Sequence, residues 1–147
     1  MAGRQLYCRI ITPERMVYDG EVKLVKLRIA DGDIGIMSDH QPIVSTVGVR
    51  DVQVVEENDE RRVFATSDGF FKVSENLVQI LVEEAEEASE IDVDAAENRV
   101  EQAENDLSEI SSSSDDEEET RRRREALERE RAIGETFARI GTDHGNG

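Results

Sequence analysis

Apolar and polar residues alternate along several short runs in the first 82 residues of this 147-residue chain. The run at 6–11 is rich in apolar residues, and the run at 22–29 carries apolar side chains on nearly every second position, which is the spacing of a half-buried strand. The alternation continues over 43–55 but changes phase around Arg50-Asp51, so we predict one long strand with a bend or bulge there. Residues with turn chemistry separate the runs at Asp19-Gly20, Asp31-Gly32, Asn58-Asp59, Ser67-Asp68-Gly69 and Glu75-Asn76. The pattern predicts a small antiparallel sandwich or barrel.

The spacing of apolar residues then changes to the three- and four-residue steps of amphipathic helices. Asp92 is a good N-cap, and the stripe that follows it consists of Val93, Ala96, Val100, Ala103, Leu107 and Ile110. Ser111 to Ser114 interrupts this stripe, and a weaker one follows with Ala126, Ile133, Phe137 and Ile140. Gly134 lies within the second helix, where glycine destabilises by about 1 kcal/mol relative to alanine. Because both stripes are narrow, we expect the helical hairpin to be marginally stable without a partner.

Composition divides the chain at the same place. Thirteen of the fifteen valines lie within the first 82 residues, whereas eight of the eleven alanines follow them, as expected for strands and then helices. We therefore predict a β-sandwich domain over 1–88 and a helical hairpin over 89–147. Within the hairpin we predict a serine-rich and acidic turn at 111–119 and a flexible tail at 141–147. The hairpin is either a static solvated appendage or a segment that packs on the sandwich in one state and extends in another.

Charge and cysteine content limit the classes of partner. With 35 acidic and 18 basic residues the formal net charge is −17, which argues against binding to nucleic acid or anionic lipid. No run approaches the roughly 20 apolar residues of a membrane-spanning helix, so we expect any membrane association to be indirect. Cys8 is the single cysteine and lies in an apolar run, which predicts a buried, inert thiol.

Candidate chemistry is sparse. The two histidines, His40 and His144, lie far apart, and no cluster has the spacing of metal ligands. Asp31, Asp33 and Asp39 crowd one loop but lack the register of an EF-hand, so we interpret them as solvated turn carboxylates and predict no metal. The phosphate-binding loop pattern and a nucleophile triad are also missing. The sequence indicates a binding or coupling protein rather than an enzyme.

Four segments carry a family resemblance: TPERMVYDGEVKLVKL at 12–27, GDIGIMSDHQPIVSTV at 32–47, FATSDGFFKVSENLVQILVEEAE at 64–86 and EIDVDAAENRVEQAE at 90–104. In order and spacing they resemble the epsilon subunit of bacterial and plastid F-type ATP synthases. The resemblance implies a sandwich of about ten short antiparallel strands followed by an αα-hairpin. It also implies a non-catalytic rotor subunit that binds the gamma subunit and the membrane c-ring, and that helps couple ion flow to ATP synthesis.

The resemblance assigns candidate contacts to the sandwich. In the family, a loop and the turn after it lie toward the c-ring, which carries over four candidates for contact with the c-ring or gamma subunit: Gly32, Asp33, Ile34 and His40. Asp33 stands where the family often has glutamate, and Ser38-Asp39-His40 stands where Pro-Gly-His is commoner. The alternative is that Gly32 and Gly35 only serve the backbone of a tight turn and the next strand.

The resemblance also implies that the hairpin is a brake. In the family it extends beside the catalytic alpha and beta subunits and opposes ATP hydrolysis, whereas the hairpin folded on the sandwich permits rotation. Basic side chains of the second helix meet acidic segments there, so the candidates are Arg121, Arg122, Arg123, Arg124, Arg129 and Arg131. The alternative is that these arginines form ordinary surface pairs with neighbouring glutamates.

Some family members bind ATP through an I-D-x-x-R-A motif at the start of the hairpin. Ile91 and Asp92 match this motif, but Ala95 stands in place of the arginine. The guanidinium that would meet the phosphates is therefore absent, so we expect weak or no ATP binding and no cofactor.

The resemblance implies a peripheral location on the cytoplasmic face of a bacterial plasma membrane, or alternatively on the stromal side of a plastid thylakoid. The implied partners are the gamma subunit, the c-ring and the catalytic alpha and beta subunits of the ATP synthase. The alternative function is a free-standing β-sandwich module that binds another protein, with a helical tail and no part in a motor.

Overall fold

The computed structural model describes residues 5–29, 32–110 and 117–144. Nine strands lie within these residues: β1 (Leu6–Ile11), β2 (Met16–Ile29), β3 (Gly32–Ile36), β4 (Ile43–Val47), β5 (Arg50–Glu56), β6 (Arg61–Thr66), β7 (Gly69–Ser74), β8 (Leu77–Val82) and β9 (Ala85–Glu87). A short 3₁₀ turn, Ala88–Glu90, then leads to two helices, α1 (Val93–Ile110) and α2 (Glu117–His144). The predicted β-sandwich followed by a helical hairpin is confirmed.

The strands of the sandwich form one hydrogen-bonded path in the order β4-β7-β8-β1-β2-β5-β6-β9, and β3 pairs with β2 beside it. All described pairings are antiparallel except that of β1 with β8, which is parallel. β2 has 14 residues; its first half pairs with β1 and its second half with β3 and β5. The predicted sandwich of antiparallel strands is thus present with two differences in detail: β2 is long, and β1 and β8 run parallel.

The single long strand predicted over 43–55 is wrong. β4 ends at Val47 and β5 begins at Arg50, with Gly48 and Val49 between them. β4 lies at one end of the path beside β7, whereas β5 lies between β2 and β6. The change of phase in the apolar pattern therefore marks the point where the chain moves to another part of the sheet, since each strand keeps its own buried face.

One cluster of buried apolar residues fills the sandwich. Phe64 and Phe71 are its largest fully buried members, and the ring of Tyr18 meets that of Phe64 edge-on with their centroids 5.4 Å apart. Cys8 also lies in this core, and burial raises the pKa of its thiol to about 12. The thiol is thus protonated at neutral pH, and the prediction that Cys8 is buried is confirmed.

A second apolar cluster joins the hairpin to the sandwich. Ile133, Phe137 and Ile140 of α2 share this cluster with Ala65 of β6 and Ala88 of the 3₁₀ turn. Three of the four residues predicted for the apolar stripe of the second helix therefore form the face that docks on the sandwich, whereas the fourth, Ala126, is exposed. α1 packs along α2, and neither helix in the described part of the chain has the length and apolar character needed to cross a membrane.

The ends of α2 differ from the predicted boundaries. The helix continues through His144, so residues 141–144 belong to it and not to a flexible tail. The physical reason is that Gly141 is buried against Ile91 and Val93, which holds the last turn of the helix in place. Most of the predicted serine-rich turn, 111–116, and the end of the tail, 145–147, lie outside the described residues. The last three residues of that predicted turn form the acidic first turn of α2.

Candidate functional site

Three of the four predicted contact residues lie in β3. Gly32 has a φ of +127°, in a region that L side chains rarely adopt, so the backbone interpretation of this glycine has a structural basis. Asp33 accepts a hydrogen bond from Nε of Arg28 at 2.7 Å, and this bond holds the pKa of the carboxyl below its ordinary value. The Asp33 side chain is 71% exposed and Ile34 is half-buried, so β3 presents a charged and accessible edge.

The fourth predicted residue, His40, lies in the turn that follows β3. Asp39 before it has a φ of +63°, the left-handed conformation that glycine adopts readily. Its backbone N–H donates to Oδ1 of Asn76 at 2.5 Å, which stabilises the turn, and the Asn76 carbonyl accepts from the N–H of Tyr7 at 2.8 Å. Asn76, which the sequence marks only as a turn residue, thus positions the His40 turn against the turn between β7 and β8.

The carboxylates of this loop have separate partners. Asp33 pairs with Arg28, and Oδ1 of Asp39 accepts from Nδ2 of Asn76 at 3.3 Å. Asp31 lies outside the described residues. Among the residues that the structure does describe, no group of three or more His, Cys, Asp or Glu side chains could hold a metal ion.

A row of exposed side chains crosses the outer surface of the sandwich and was not predicted. Register places Phe70 of β7 opposite Leu81 of β8, Leu81 opposite Ile11 of β1, and Ile11 opposite Met16 of β2. Directly opposed residues share one face of a sheet, so these four form a continuous apolar face. Phe70 is 59% exposed, Met16 47% and Leu81 45%. A depression of about 450 Å³ lies here and is also lined by Arg129.

The six hairpin arginines are in different environments. Arg121 to Arg124 are exposed, and Arg122 pairs with Glu118 one turn earlier at 3.2 Å. Arg131 pairs with Glu135 one turn later at 3.7 Å. Arg129 instead reaches the sandwich, where Nε lies 2.8 Å from Oδ1 of Asp68 and Nη2 lies 3.3 Å from Oε2 of Glu83. The prediction grouped Arg129 with the others, but the structure separates it.

Arg99 of α1 is a site residue that sequence reasoning missed. Its guanidinium bonds both oxygens of Glu84 at 2.7 and 2.6 Å, and both oxygens of Glu130 at 2.7 and 2.9 Å. Through these two bidentate pairs, Arg99 links α1 to the sandwich at Glu84 and to α2 at Glu130. The hydrogen bonds from Arg99 hold the pKa of Glu130 below its ordinary value.

Gly134 has a packing role that its low helix propensity conceals. A Cβ at this position would lie 2.8 Å from Cγ2 of Val100 and 3.1 Å from the carbonyl oxygen of Ala96. Glycine therefore allows α2 to approach α1 closely. The propensity penalty predicted from the sequence is accordingly only part of its effect, because the contact with α1 depends on it.

The sequence of the sandwich matches a known family. The family described as "ATP synthase, Delta/Epsilon chain, beta-sandwich domain" matches residues 5–88. The ATP synthase epsilon chain of Rubrobacter xylanophilus is 56% identical over 145 residues, which cover 99% of this chain and 97% of that relative. The chain belongs to the ATP synthase epsilon-chain family. The predicted family and the predicted non-catalytic character are thereby confirmed.

One further member of the epsilon-chain family and one solved structure are also similar to this chain. The sodium-ion-specific ATP synthase epsilon chain of Propionigenium modestum is 32% identical over 122 residues, 83% of this chain and 88% of that relative. A chain in the cryo-EM structure of the Euglena gracilis mitochondrial ATP synthase aligns with 95% of this chain and 82% of its own length, at a TM-score of 0.70 and 21% identity. The structural likeness supports the fold of this epsilon chain.

The segment that matches the ATP-binding motif of some epsilon chains begins α1. Oδ1 of Asp92 accepts the backbone N–H of Ala95 at 3.0 Å and so caps the helix. A depression of about 210 Å³ lies beside it, lined by Glu84, Glu86, Glu90, Ile91, Asp92, Ala95, Ala96, Arg99, Gly134 and Phe137. Arg99 is the one basic residue in this lining, and Glu84 and Glu130 occupy its guanidinium. In this epsilon chain the segment is therefore acidic and already internally paired.

Proposed function

We propose that this chain acts in the central stalk of an F-type ATP synthase, where it couples ion-driven rotation to ATP synthesis and its hairpin restrains ATP hydrolysis. Membership of the epsilon-chain family is the observation that carries the proposal. Two structural features agree with it: an apolar face on the sandwich that would suit a protein partner, and a hairpin docked through few apolar side chains.

We assign the apolar face to the gamma subunit. Exposed aromatic and aliphatic side chains in one row provide the anchors that protein interfaces use. Replacing Phe70 and Leu81 together by Glu should weaken co-purification with the gamma subunit by at least about tenfold, because each charge would have to be desolvated. The Arg61→Glu variant changes the net charge equally, at the exposed first residue of β6, and serves as the control. Equal binding by the two variants would contradict the assignment.

We assign β3 and the His40 turn to the c-ring. Gly32 and Asp33 define the accessible edge of β3, and Asn76 holds the turn that carries His40. The Asp33→Asn variant should lower ATP synthesis driven by an ion gradient in reconstituted vesicles. Asp59→Asn removes a carboxylate from a similarly exposed pair with Lys23 and should leave synthesis unchanged. A decrease of the same size in both variants would argue against this contact.

We assign the restraint of hydrolysis to Arg121, Arg122, Arg123 and Arg124. These side chains are exposed in the docked hairpin, so their charges remain accessible to an acidic partner such as a segment of the catalytic alpha or beta subunits. Replacing all four by Ala should raise ATP hydrolysis by the assembled enzyme, whereas replacing all four by Lys should keep most of the restraint. Arg131 stays a weaker candidate, since it pairs within α2. Unchanged hydrolysis in the alanine variant would remove this assignment.

We propose that ATP does not regulate this hairpin directly. The lining of the Ile91 and Asp92 depression contains four carboxylates, and its one guanidinium is already bidentate with two of the chain's carboxylates. Calorimetry with Mg-ATP should show no binding at micromolar concentrations. A micromolar dissociation constant would overturn this proposal.

The proposed location is peripheral, at the cytoplasmic face of a bacterial plasma membrane, with the stromal side of a plastid thylakoid as the alternative. The alternative function is a free-standing binding module with a helical tail. Co-purification separates the two functions, because a module without a motor role would not form a tight complex with a gamma subunit.

A further inference from the structure

The hairpin meets the sandwich through few large apolar side chains. α2 contributes Ile133, Phe137 and Ile140, whereas the sandwich side offers the buried Ala65 and Ala88 and only the partly buried Val49 and Val63. Alanine side chains bury little apolar area, and stabilisation by burial is roughly proportional to area. Polar contacts must therefore contribute to holding the hairpin in its docked position.

Ser67 is fully buried beside this contact. Its Oγ accepts the backbone N–H groups of Glu83 at 3.2 Å and Glu84 at 3.0 Å, and its own N–H donates to the carbonyl oxygen of Glu84 at 2.9 Å. These bonds tie the turn between β6 and β7 to the segment that follows β8. The carboxylates of Asp68, Glu83 and Glu84 consequently extend from one place on the sandwich. We name Ser67 and these three acidic residues the docking platform.

Both helices send an arginine to the docking platform. Arg99 of α1 forms its bidentate pair with Glu84, and Arg129 of α2 bridges Asp68 and Glu83. The Arg99 side chain is 27% exposed and that of Arg129 is 35% exposed. The Arg99–Glu84 pair is less screened by solvent than a fully exposed pair, and its bidentate geometry adds strength. The partners of Arg129 are more exposed, Asp68 at 51% and Glu83 at 70%, but one guanidinium engages both.

We propose that the contact of Arg99 and Arg129 with the docking platform decides whether the hairpin stays folded on the sandwich. The overall charge opposes docking, because the formal charge is −7 over the sandwich residues 1–88 and −10 over the hairpin residues 89–147. The local pairs therefore hold together two parts of the chain that repel each other overall. This concerns the isolated chain and does not depend on the assignments made above for the gamma subunit or for hydrolysis.

The first test compares two arginines that lie two residues apart on α2. Arg129→Glu and Arg131→Glu change the net charge equally, but Arg131 pairs only with Glu135 of its own helix in the described contacts. Hydrogen exchange should show at least about tenfold loss of amide protection in α2 for Arg129→Glu and less than about twofold for Arg131→Glu. Protection of β1 and β8 should stay unchanged in both, which shows that the sandwich is intact. Equal losses in α2 would overturn the proposal.

The second test exchanges the charges of one pair. Adding Asp68→Arg to Arg129→Glu restores an attractive contact with the opposite polarity. We expect the double variant to regain at least half of the lost α2 protection on a logarithmic scale. No recovery, in a double variant whose β1 and β8 amides remain protected, would contradict a direct contact.

The third test concerns Ser67 as a positioning residue. Ser67→Ala leaves the N–H groups of Glu83 and Glu84 without their acceptor, so the platform carboxylates should lose their alignment. In the otherwise unchanged chain, Ser67→Ala should lower the amide protection of α2. In a chain that already carries Arg99→Gln and Arg129→Gln, Ser67→Ala should cause no further loss of this protection. A merely structural role would produce the same loss in both backgrounds, and that result would overturn the positioning role.

Discussion

The sandwich and the hairpin are held by different kinds of contact. Of the twelve largest fully buried side chains, ten lie in strands and only Ile133 and Ile140 lie in a helix. The strands also satisfy one another's backbone groups along a continuous path, whereas the hairpin reaches the sandwich through a small apolar cluster and the pairs of Arg99 and Arg129. The difference teaches that substitutions can weaken the docking of the hairpin without touching the core of the domain that carries it.

The largest expected effect is on the sandwich core. Phe64→Ala removes a fully buried ring and should lower the free energy of unfolding by about 3–5 kcal/mol. Because the hairpin docks on the same domain, urea unfolding followed by circular dichroism should show both parts lost together. Phe70→Ala, at an exposed position, should change this free energy by less than about 1 kcal/mol. Comparable losses in the two variants would break the distinction between core and outer face.

A smaller effect, confined to the hairpin, is expected from Gly134→Ala. Helix propensity alone would stabilise this variant by about 1 kcal/mol. The new methyl group would however meet Val100 at 2.8 Å, and overpacking of this kind typically destabilises by about 1–3 kcal/mol. Hydrogen exchange should therefore show weaker protection of α1 and α2 and unchanged protection of the strands. Combining it with Val100→Ala should restore protection, and a more stable single variant would show that propensity dominates.

The smallest effect is a dependence of the hairpin on acid. Arg99 lowers the pKa of Glu130 in the docked state, and Arg129 adds to the shift. A carboxyl with a lowered pKa stabilises the docked state above its unfolded pKa of about 4.3, and that stabilisation is lost as the pH falls through the docked-state pKa. Glu130 is 42% exposed, so screening limits the effect to less than about 1 kcal/mol.

Glu86 should act in the opposite direction, because burial raises the pKa of its carboxyl. Its protonation as the pH falls removes an unfavourable buried charge, so Glu86→Gln should slightly stabilise the chain at neutral pH. Hydrogen exchange of α2, measured between about pH 7 and pH 3, distinguishes the effect of the Glu130 carboxyl from that of the Glu86 carboxyl. Glu130→Gln should flatten the acid loss, and an unaltered profile would show that Glu130 does not cause it.

The sequence correctly predicted the elements whose buried face follows from the spacing of their apolar residues. Alternation identified the strands because each has one buried face, and the stripe of Ile133, Phe137 and Ile140 correctly marked the docking face of α2. The phase change near Arg50 was visible but misinterpreted, since a bulge and a change of sheet position leave the same pattern.

The site was less predictable, because its contacts join residues distant in the chain. Arg99 is one of many charges on its helix, and nothing local indicates that its partners lie 15 and 31 residues away. The apolar face depends on the register that places Phe70 opposite Leu81. A signal was present, since the adjacent Phe70 and Phe71 must point to opposite faces of a strand, which puts one aromatic ring outside.

The parallel pairing of β1 with β8 has a consequence for synthesis of the chain. β1 precedes every other described strand, yet one of its edges has no partner until Leu77–Val82 has emerged from the ribosome. An unpaired edge is a template for aggregation, and such non-local pairing is slow to form. β9 and the hairpin follow directly after β8, so the docking platform forms only when the sandwich closes. A chain stalled before Leu77 would expose the unpaired edge of β1 to chaperones and to other nascent chains.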